Sequence, residues 1–117
     1  MKLDTYQKGL GAELIAALYM MGKGYWPLKW RYKTKVGEID LIMRRGQTLV
    51  FIEVKQRGTL DDALSAVTPT MRQRICRAAA FYLARDTKQA MSIQRFDLIA
   101  VSGFSVRHLD NAWTSAP

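Results

Sequence analysis

The sequence predicts an α/β domain in which helices flank a mixed, twisted β-sheet. Three observations lead to this prediction: a stripe of apolar residues at helical spacing early in the chain, two adjacent apolar-rich segments of strand character, and a second helical stripe followed by a further strand. The expected order is α-β-β-β-α-β. The last strand follows a helical crossover, so it should lie parallel to an earlier strand with the usual right-handed connection.

Length and charge set the broad class of the protein. At 117 residues the chain predicts a single domain, with a core over about residues 5–109 and a loosely ordered tail over residues 110–117. Eighteen Lys and Arg against ten Asp and Glu give a net charge of +8, which favours nucleic acid first and an anionic membrane second as partner. The sequence shows neither a membrane-spanning apolar run nor a signal peptide, so we expect a cytoplasmic protein that does not enter a membrane.

The first helix is expected over residues 5–21, ending at Gly22 and Gly24. Glu13 lies beside its apolar stripe, and taken alone it is a solvated helix residue or one near a helix N-terminus. The residues expected on the buried stripe are Leu10, Leu14, Ile15, Leu18, Tyr19 and Met21.

Residues 24–35 interleave aromatic and basic side chains, and from Trp30 onward the two types alternate. This alternation predicts a strand with its rings turned inward and its cations outward. Such a basic strand is suited to holding a phosphate backbone. Alternatively, its lysines only keep an edge strand soluble.

A β-hairpin is expected next. Two apolar-rich segments, residues 36–43 and 48–54, flank the connection from Arg44 to Gln47, in which Gly supplies the turn. If the two ends of this connection face each other across a two-residue turn, Asp40 pairs with Phe51.

Strand alternation then places Glu53 and Lys55 on the same side of the sheet as Asp40. An unpartnered carboxylate at Glu53, among buried apolar neighbours, would be costly. Two carboxylates can bind a divalent cation such as Mg²⁺, with Mn²⁺ as a substitute, and a nearby lysine can act on a group at the metal. The alternative is a structural ion pair of Lys55 with Glu53 or Asp40.

After the hairpin, Thr59 is expected to cap a short helical turn through Ala66, and Thr68 followed by Pro69 marks a stronger helix start. That helix should run to about Arg85. The arginines on its polar face are Arg72, Arg74, Arg77 and Arg85.

A strand is expected over residues 95–101, and a short edge strand over residues 104–109. Asp97 is expected to pair with Arg95 or another nearby cation, although it is also a candidate further acidic residue of the site. His108 is the only histidine, so no site can rest on a histidine cluster.

An Asp followed by Glu-x-Lys on a hairpin, after a helix that carries a Glu, resembles the metal-dependent nucleases of restriction-endonuclease-like fold, and most closely their Holliday-junction-resolvase-like branch. More narrowly, the chain resembles the YraN family of small bacterial proteins from about residue 9 to residue 101. The segments that carry the resemblance are GAELIA (residues 11–16), YKTKVGEIDLI (32–42), VFIEVKQR (50–57) and RFD (95–97).

The resemblance implies a Mg²⁺-dependent endonuclease that acts on structured or branched DNA; the alternative is a non-catalytic nucleic-acid-binding module that retains the fold. It implies that Asp40 and Glu53 bind the metal, with the backbone carbonyl of Val54 as a third ligand. Glu13, which matches a glutamate on the first helix of resolvase-like nucleases, would complete the acidic cluster. Lys55 would orient the attacking water and stabilise charge. A homodimer is a further expectation, because resolvases of this fold cut two symmetric strands.

The residues expected to contact nucleic acid are Lys33, Lys35, Arg57, Arg72 and Arg74. Two positions depart from the family pattern. Arg31 stands where the family usually has Asn, and Met71 stands where many members have Lys. We expect Arg72 or Arg74 to take over the role of that lysine.

Overall fold

The computed structural model describes residues 5–115, with side chains described from residue 11. Its elements are α1 (Thr5–Gly22), β1 (Trp26–Lys33), β2 (Glu38–Arg45), β3 (Thr48–Gln56), α2 (Leu60–Leu64), α3 (Pro69–Arg85), α4 (Thr87–Ala90), β4 (Ile93–Ser102) and β5 (Ser105–Trp113). The five strands form one sheet in chain order, in which β3 and β4 are parallel and the other neighbours antiparallel. The predicted α/β class with a mixed sheet is confirmed, and the arrangement is consistent with a restriction-endonuclease-like core.

Both predicted helix starts after the hairpin are confirmed. The Thr59 hydroxyl accepts a hydrogen bond from the Asp62 N–H at 3.1 Å, and the Thr68 hydroxyl accepts one from the Met71 N–H at 3.2 Å. Pro69 occupies the first turn of α3, where a missing N–H costs nothing. These caps fix where α3 begins, and therefore which of its side chains reach the face of the sheet.

The hairpin forms, but in a different register from the one predicted. Arg45 pairs with Thr48 and Ile42 pairs with Phe51, so the predicted pairing of Asp40 with Phe51 is wrong. Gly46 occupies the first central position of the turn with φ +58, a conformation that glycine adopts at little cost. Because the register moves by two residues, this shift by itself does not exchange the two faces of the hairpin.

Helices cover both faces of the sheet. On one face α1 packs against strand residues that include Leu41, Val50 and Ile52, and on the other α3 packs against residues that include Ile42 and Phe51. The buried stripe of α1 differs from the prediction: Leu14 and Leu18 are exposed. The helix instead buries Ala12, Ala16, Ala17 and Met20. Small residues let the helix backbone lie close to the sheet.

Strand β1 is irregular, and the predicted pattern of inward rings holds only in part. Trp30 is exposed, whereas Tyr32 packs against the core on the α3 side of the sheet. The pairing with β2 shifts between Pro27 and Lys29, and Arg31, between the two rings, has φ +50. A left-handed residue at that point breaks the alternation that would place both rings on one face.

The last strand is longer than predicted. β5 runs to Trp113, so the predicted loose tail is wrong for residues 110–113. Trp113 is buried and its ring lies 5.6 Å from that of Phe96, in stacked orientation. Residues 116 and 117 lie outside the described residues. Over residues 5–115, none of the helices combines the length and the apolarity needed to cross a membrane.

Candidate active site

The candidate site lies where β2 separates from β3. The pairing of the two strands ends at Leu41 and Ile52. Beyond that point the Val54 N–H donates to the Asp40 carboxylate at 2.8 Å, so a side chain takes the place of a strand carbonyl. Ile39 packs in the α3 layer although Leu41 packs in the α1 layer, which shows that the alternation of β2 is interrupted at Asp40.

Two elements bring a further acid and a cation to this point. Glu13 on α1 is 5% exposed, so the alternative of a solvated helix residue is wrong. The Arg31 Nε donates to the Glu13 Oε2 at 2.6 Å. Arg31 lies between Trp30 and Tyr32, whose partners Leu41 and Ile39 lie on either side of Asp40. Arg31 has φ +50, in the left-handed region where Asn is enriched among non-glycine residues. That backbone conformation would suit the Asn that the resemblance leads us to expect at this position.

Glu53 and Lys55 reach the site from β3. The Lys55 Nζ lies 3.5 Å from the Glu53 Oε1, so the ion pair that the structural alternative predicts is present. Glu53 is buried at 8% exposure. One lysine and one arginine therefore stand beside three acids, Glu13, Asp40 and Glu53.

The electrostatics of the acids reflect this imbalance. Burial and, after it, the neighbouring Glu53 carboxylate together raise the pKa of Asp40 to about 8, while the hydrogen bonds from the Val54 N–H and with Glu13 act to lower it. Burial also raises the pKa of Glu13, while its hydrogen bond from Arg31 acts in the opposite direction and the charge of Asp40 adds to the rise. The charges of Asp40 and Glu13 are therefore held at a cost that a proton or an added cation relieves.

Two clefts open on either side of the site and share a wall formed by Glu38, Asp40, Glu53 and Lys55. The first cleft has a volume of about 850 Å³ and the second about 360 Å³. Side chains that line the first cleft beyond the shared wall include Lys33, Lys35, Met71, Arg74 and Arg77. The second is lined in addition by Glu13, Arg31, Val54 and Arg57, among others.

The structure thus brings together all the predicted catalytic and metal-binding residues and four of the five predicted nucleic-acid contacts. Arg72 lies elsewhere: its guanidinium sits 5.6 Å from the Trp113 ring, and its buried Nε has no hydrogen-bond partner among the residues that the structure describes. The reason is helix phase, because Arg72 shares the side of α3 that carries Cys76 four residues later. Arg77, three residues after Arg74, lies at the cleft instead.

Arg31, Glu38 and Arg77 line the clefts, although the sequence did not single them out as site residues. Helix spacing from Arg74 was an available signal for Arg77, and the position of Glu38 two residues before Asp40 was one for Glu38. No comparable signal existed for Arg31, because its direction depends on the left-handed backbone.

The donor set fits a hard divalent cation. Mg²⁺ is usually held by one or two carboxylates together with waters and substrate phosphates, and Asp40 and Glu53 supply such a pair. Between residues 5 and 115, no three His, Cys, Asp or Glu side chains form a ready-made metal site. Glu13 is held by Arg31. Its predicted part in binding a metal, like that of the Val54 carbonyl, stays a prediction.

Comparison with known proteins gives the family. A family model described as "Uncharacterised protein family UPF0102" matches residues 12–101, a range that includes every predicted catalytic residue. A UPF0102 protein of Caulobacter vibrioides is 49% identical over 109 residues, covering 92% of this chain and 87% of the relative.

Two further relatives carry the same name. A UPF0102 protein of Rhodopseudomonas palustris is 43% identical over 117 residues, covering 99% of this chain and 90% of its own. A UPF0102 protein of Methylorubrum extorquens is 46% identical over 110 residues, covering 93% of this chain and 86% of the relative. The resemblance to YraN-like proteins is confirmed, and this chain belongs to the UPF0102 family.

Proposed function

We propose that this protein is a Mg²⁺-dependent endonuclease that acts on structured or branched DNA. The observation that carries the proposal is the shared wall of the two clefts. Asp40, Glu53 and Lys55 stand in that wall, and each cleft has further cations beyond it, Arg74 in the first and Arg57 in the second among them. A phosphate backbone that runs through both clefts would be held on either side of the acids, which suits cleavage within a strand.

The residues divide the chemistry as follows. Asp40 and Glu53 would hold Mg²⁺, which when bound supplies Lewis-acid polarisation of the phosphate and activation of water. The Lys55 ammonium, 3.5 Å from Glu53, is placed to stabilise the negative charge that grows on the phosphate in the transition state. The arginines and lysines of both clefts neutralise the backbone and fix its position.

The preference for branched DNA, and a homodimer that would cut two symmetric strands, rest on the resemblance to junction resolvases. A non-catalytic nucleic-acid-binding module is the second candidate. It is favoured by Met71, an apolar and half-buried residue that lines the first cleft where many family members have Lys. A thioether cannot supply the charge of that lysine.

A cleavage screen decides between these candidates. The purified protein is tested with Mg²⁺ and Mn²⁺ on junction, flapped, single-stranded and duplex DNA, beside an Asp40→Asn preparation made in the same way. Metal-dependent nicking by wild type that the variant lacks is the expected result. Equal nicking by both preparations would point to a contaminant, and wild type that binds DNA yet never cuts would favour the binding module.

Lys55→Ala separates chemistry from binding. We expect the cleavage rate to fall by about 10²-fold or more, while DNA affinity measured in Ca²⁺ falls only by the loss of about one phosphate contact. Lys88→Ala, which removes an exposed charge from α4, is the matched control and should change neither quantity. If wild type is inactive, gain of cleavage in Met71→Lys would restore the nuclease proposal.

A further inference from the structure

The contact between Arg31 and Glu13 is unusual in its backbone as well as in its side chains. Arg31 holds φ +50 inside a β-strand, a left-handed conformation that is strained for a residue other than glycine. This conformation places its guanidinium 2.6 Å from the nearly buried carboxylate of Glu13. Strain of this kind persists where the surrounding structure imposes it, and it is concentrated at functional sites.

The location of Arg31 would allow its guanidinium to bind a phosphate as well as the Glu13 carboxylate. Arg31 lines the second cleft together with Arg57, on the side where the proposed DNA backbone would pass. Its side chain is 20% exposed, whereas that of Glu13 is 7% exposed. A phosphate entering the cleft can therefore meet Arg31 directly, and an arginine binds phosphate as well as it binds carboxylate.

The count of charges links these two ligands. While Arg31 holds Glu13, the carboxylates open to a divalent cation are those of Asp40 and Glu53, and Lys55 already pairs with Glu53. If a phosphate draws Arg31 away, one local positive charge is redirected and the Glu13 carboxylate faces Asp40 without that partner. The three carboxylates of Glu13, Asp40 and Glu53 then attract a cation more strongly than they did while Arg31 held Glu13.

We propose that Arg31 is a positioning residue that couples the two ligands of the site: it occupies Glu13 in the free protein and exchanges it for a substrate phosphate, which makes Glu13 available to the divalent cation. This inference rests on the proposed function. Because coupling is reciprocal, the factor by which DNA tightens cation binding equals the factor by which the cation tightens DNA binding.

Because the coupling can be measured as the effect of a cation on DNA affinity, the test does not depend on cleavage. DNA affinity is measured by fluorescence anisotropy on a branched oligonucleotide, with and without Ca²⁺, for wild type and Arg31→Asn. Asn tolerates the left-handed backbone, so the variant should fold, and a thermal melt checks this. We expect Ca²⁺ to tighten DNA binding about tenfold in wild type and about twofold in Arg31→Asn.

Two more variants isolate the cause. Glu13→Gln should lose the coupling as Arg31→Asn does, and the double variant should show no further loss because both changes remove one exchange. Lys29→Asn removes a positive charge from an exposed position on the same strand. It should lower DNA affinity with and without Ca²⁺ by the same factor, and so keep the coupling of wild type.

Cation binding without DNA provides a second readout. By calorimetry with Mn²⁺, Arg31→Asn should bind about tenfold more tightly than wild type, because Glu13 is released from the start. A merely structural Arg31 predicts a lower melting temperature and unchanged Mn²⁺ affinity, and that result would overturn the proposal.

The remaining outcomes are also decisive. Equal coupling in wild type and Arg31→Asn overturns the role of Arg31 and leaves the metal site standing. If no variant binds Mn²⁺ or Ca²⁺ while all bind DNA, the metal site fails, and with it both this coupling and the proposed nuclease.

Discussion

Two groups of buried or half-buried acids stand out among the residues that the structure describes, and they are compensated in opposite ways. On β4, Asp97 is fully buried, and it accepts hydrogen bonds from Arg95 Nε and Nη2 at 2.8 Å each and from the Asn111 N–H at 2.9 Å. His108 Nε2 lies 2.6 Å from it. Although burial acts to raise the pKa of Asp97, these contacts hold it below its usual range.

Asp40 shows the reverse. Its carboxylate accepts a hydrogen bond from the Val54 N–H, but burial and the neighbouring Glu53 together raise its pKa to about 8. The difference teaches how to read a buried carboxylate in this fold. One whose charge and hydrogen bonds are satisfied within the chain holds the structure together, as the predicted pairing of Asp97 with Arg95 does. One packed against like charges suits a ligand that arrives from outside.

The largest expected effect on stability comes from the Asp97 cluster. Asp97→Asn removes the charge that Arg95 faces while keeping the size of the side chain, so it should lower the free energy of unfolding by about 3–5 kcal/mol. Arg95 also donates to the Tyr25 hydroxyl at 2.7 Å, which links β4 to the start of β1. Urea unfolding at neutral pH measures the loss. A decrease below about 1 kcal/mol would mean that the cluster contributes little to stability.

The same substitution at Asp40 should have the opposite sign. A carboxyl whose folded pKa is raised from about 3.9 in the unfolded chain contributes stability that is present below that value and is lost as the pH rises through about 8. In EDTA, Asp40→Asn should therefore be more stable than wild type by roughly 1–3 kcal/mol at pH 9, discounted from the full shift because the neighbouring acids titrate together. Near pH 4 the two proteins should differ little.

Urea unfolding at the two pH values tests this prediction, and adding Mn²⁺ sharpens it. At pH 9 the cation should stabilise wild type and leave Asp40→Asn unchanged, because only a ligand that binds the folded state adds stability. A variant that is less stable than wild type at pH 9 in EDTA would show that the Val54 hydrogen bond outweighs the repulsion among the acids.

The smallest effects concern the cations around the clefts. Lys35→Ala and Arg77→Ala should each weaken DNA binding and reduce the slope of log affinity against log salt by about 0.9. Arg72→Ala should leave that slope unchanged and lower the melting temperature, because Arg72 packs on Trp113. Affinity titrations at several salt concentrations measure the slope, and an equal change for Arg72 and Arg77 would contradict the assignment of the clefts.

Features of the fold and site that follow from the pattern of side chains could be predicted from the sequence, whereas features that depend on backbone conformation could not. The hairpin and the grouping of Asp40, Glu53 and Lys55 followed from alternation, and a register error of two residues did not separate these side chains. The register itself depended on whether Gly46 took the first or second turn position, which composition does not distinguish. The left-handed Arg31 and the irregular pairing in β1 were equally hidden, since they arise from how β1, β2 and α1 pack together.

One glycine of the hairpin motif sets a limit on what the protein can accept. Gly37 lies in the loop between β1 and β2 and lines the first cleft. A Cβ at this position would lie 2.4 Å from the carbonyl oxygen of Arg74 on α3. The loop is also tied by the Thr34 hydroxyl, which accepts from the Gly37 N–H at 3.0 Å. Backbone therefore rests on backbone where the loop between β1 and β2 meets α3. Any side chain larger than hydrogen at residue 37 would push this loop away from α3, and the wall of the first cleft that the loop forms would move with it.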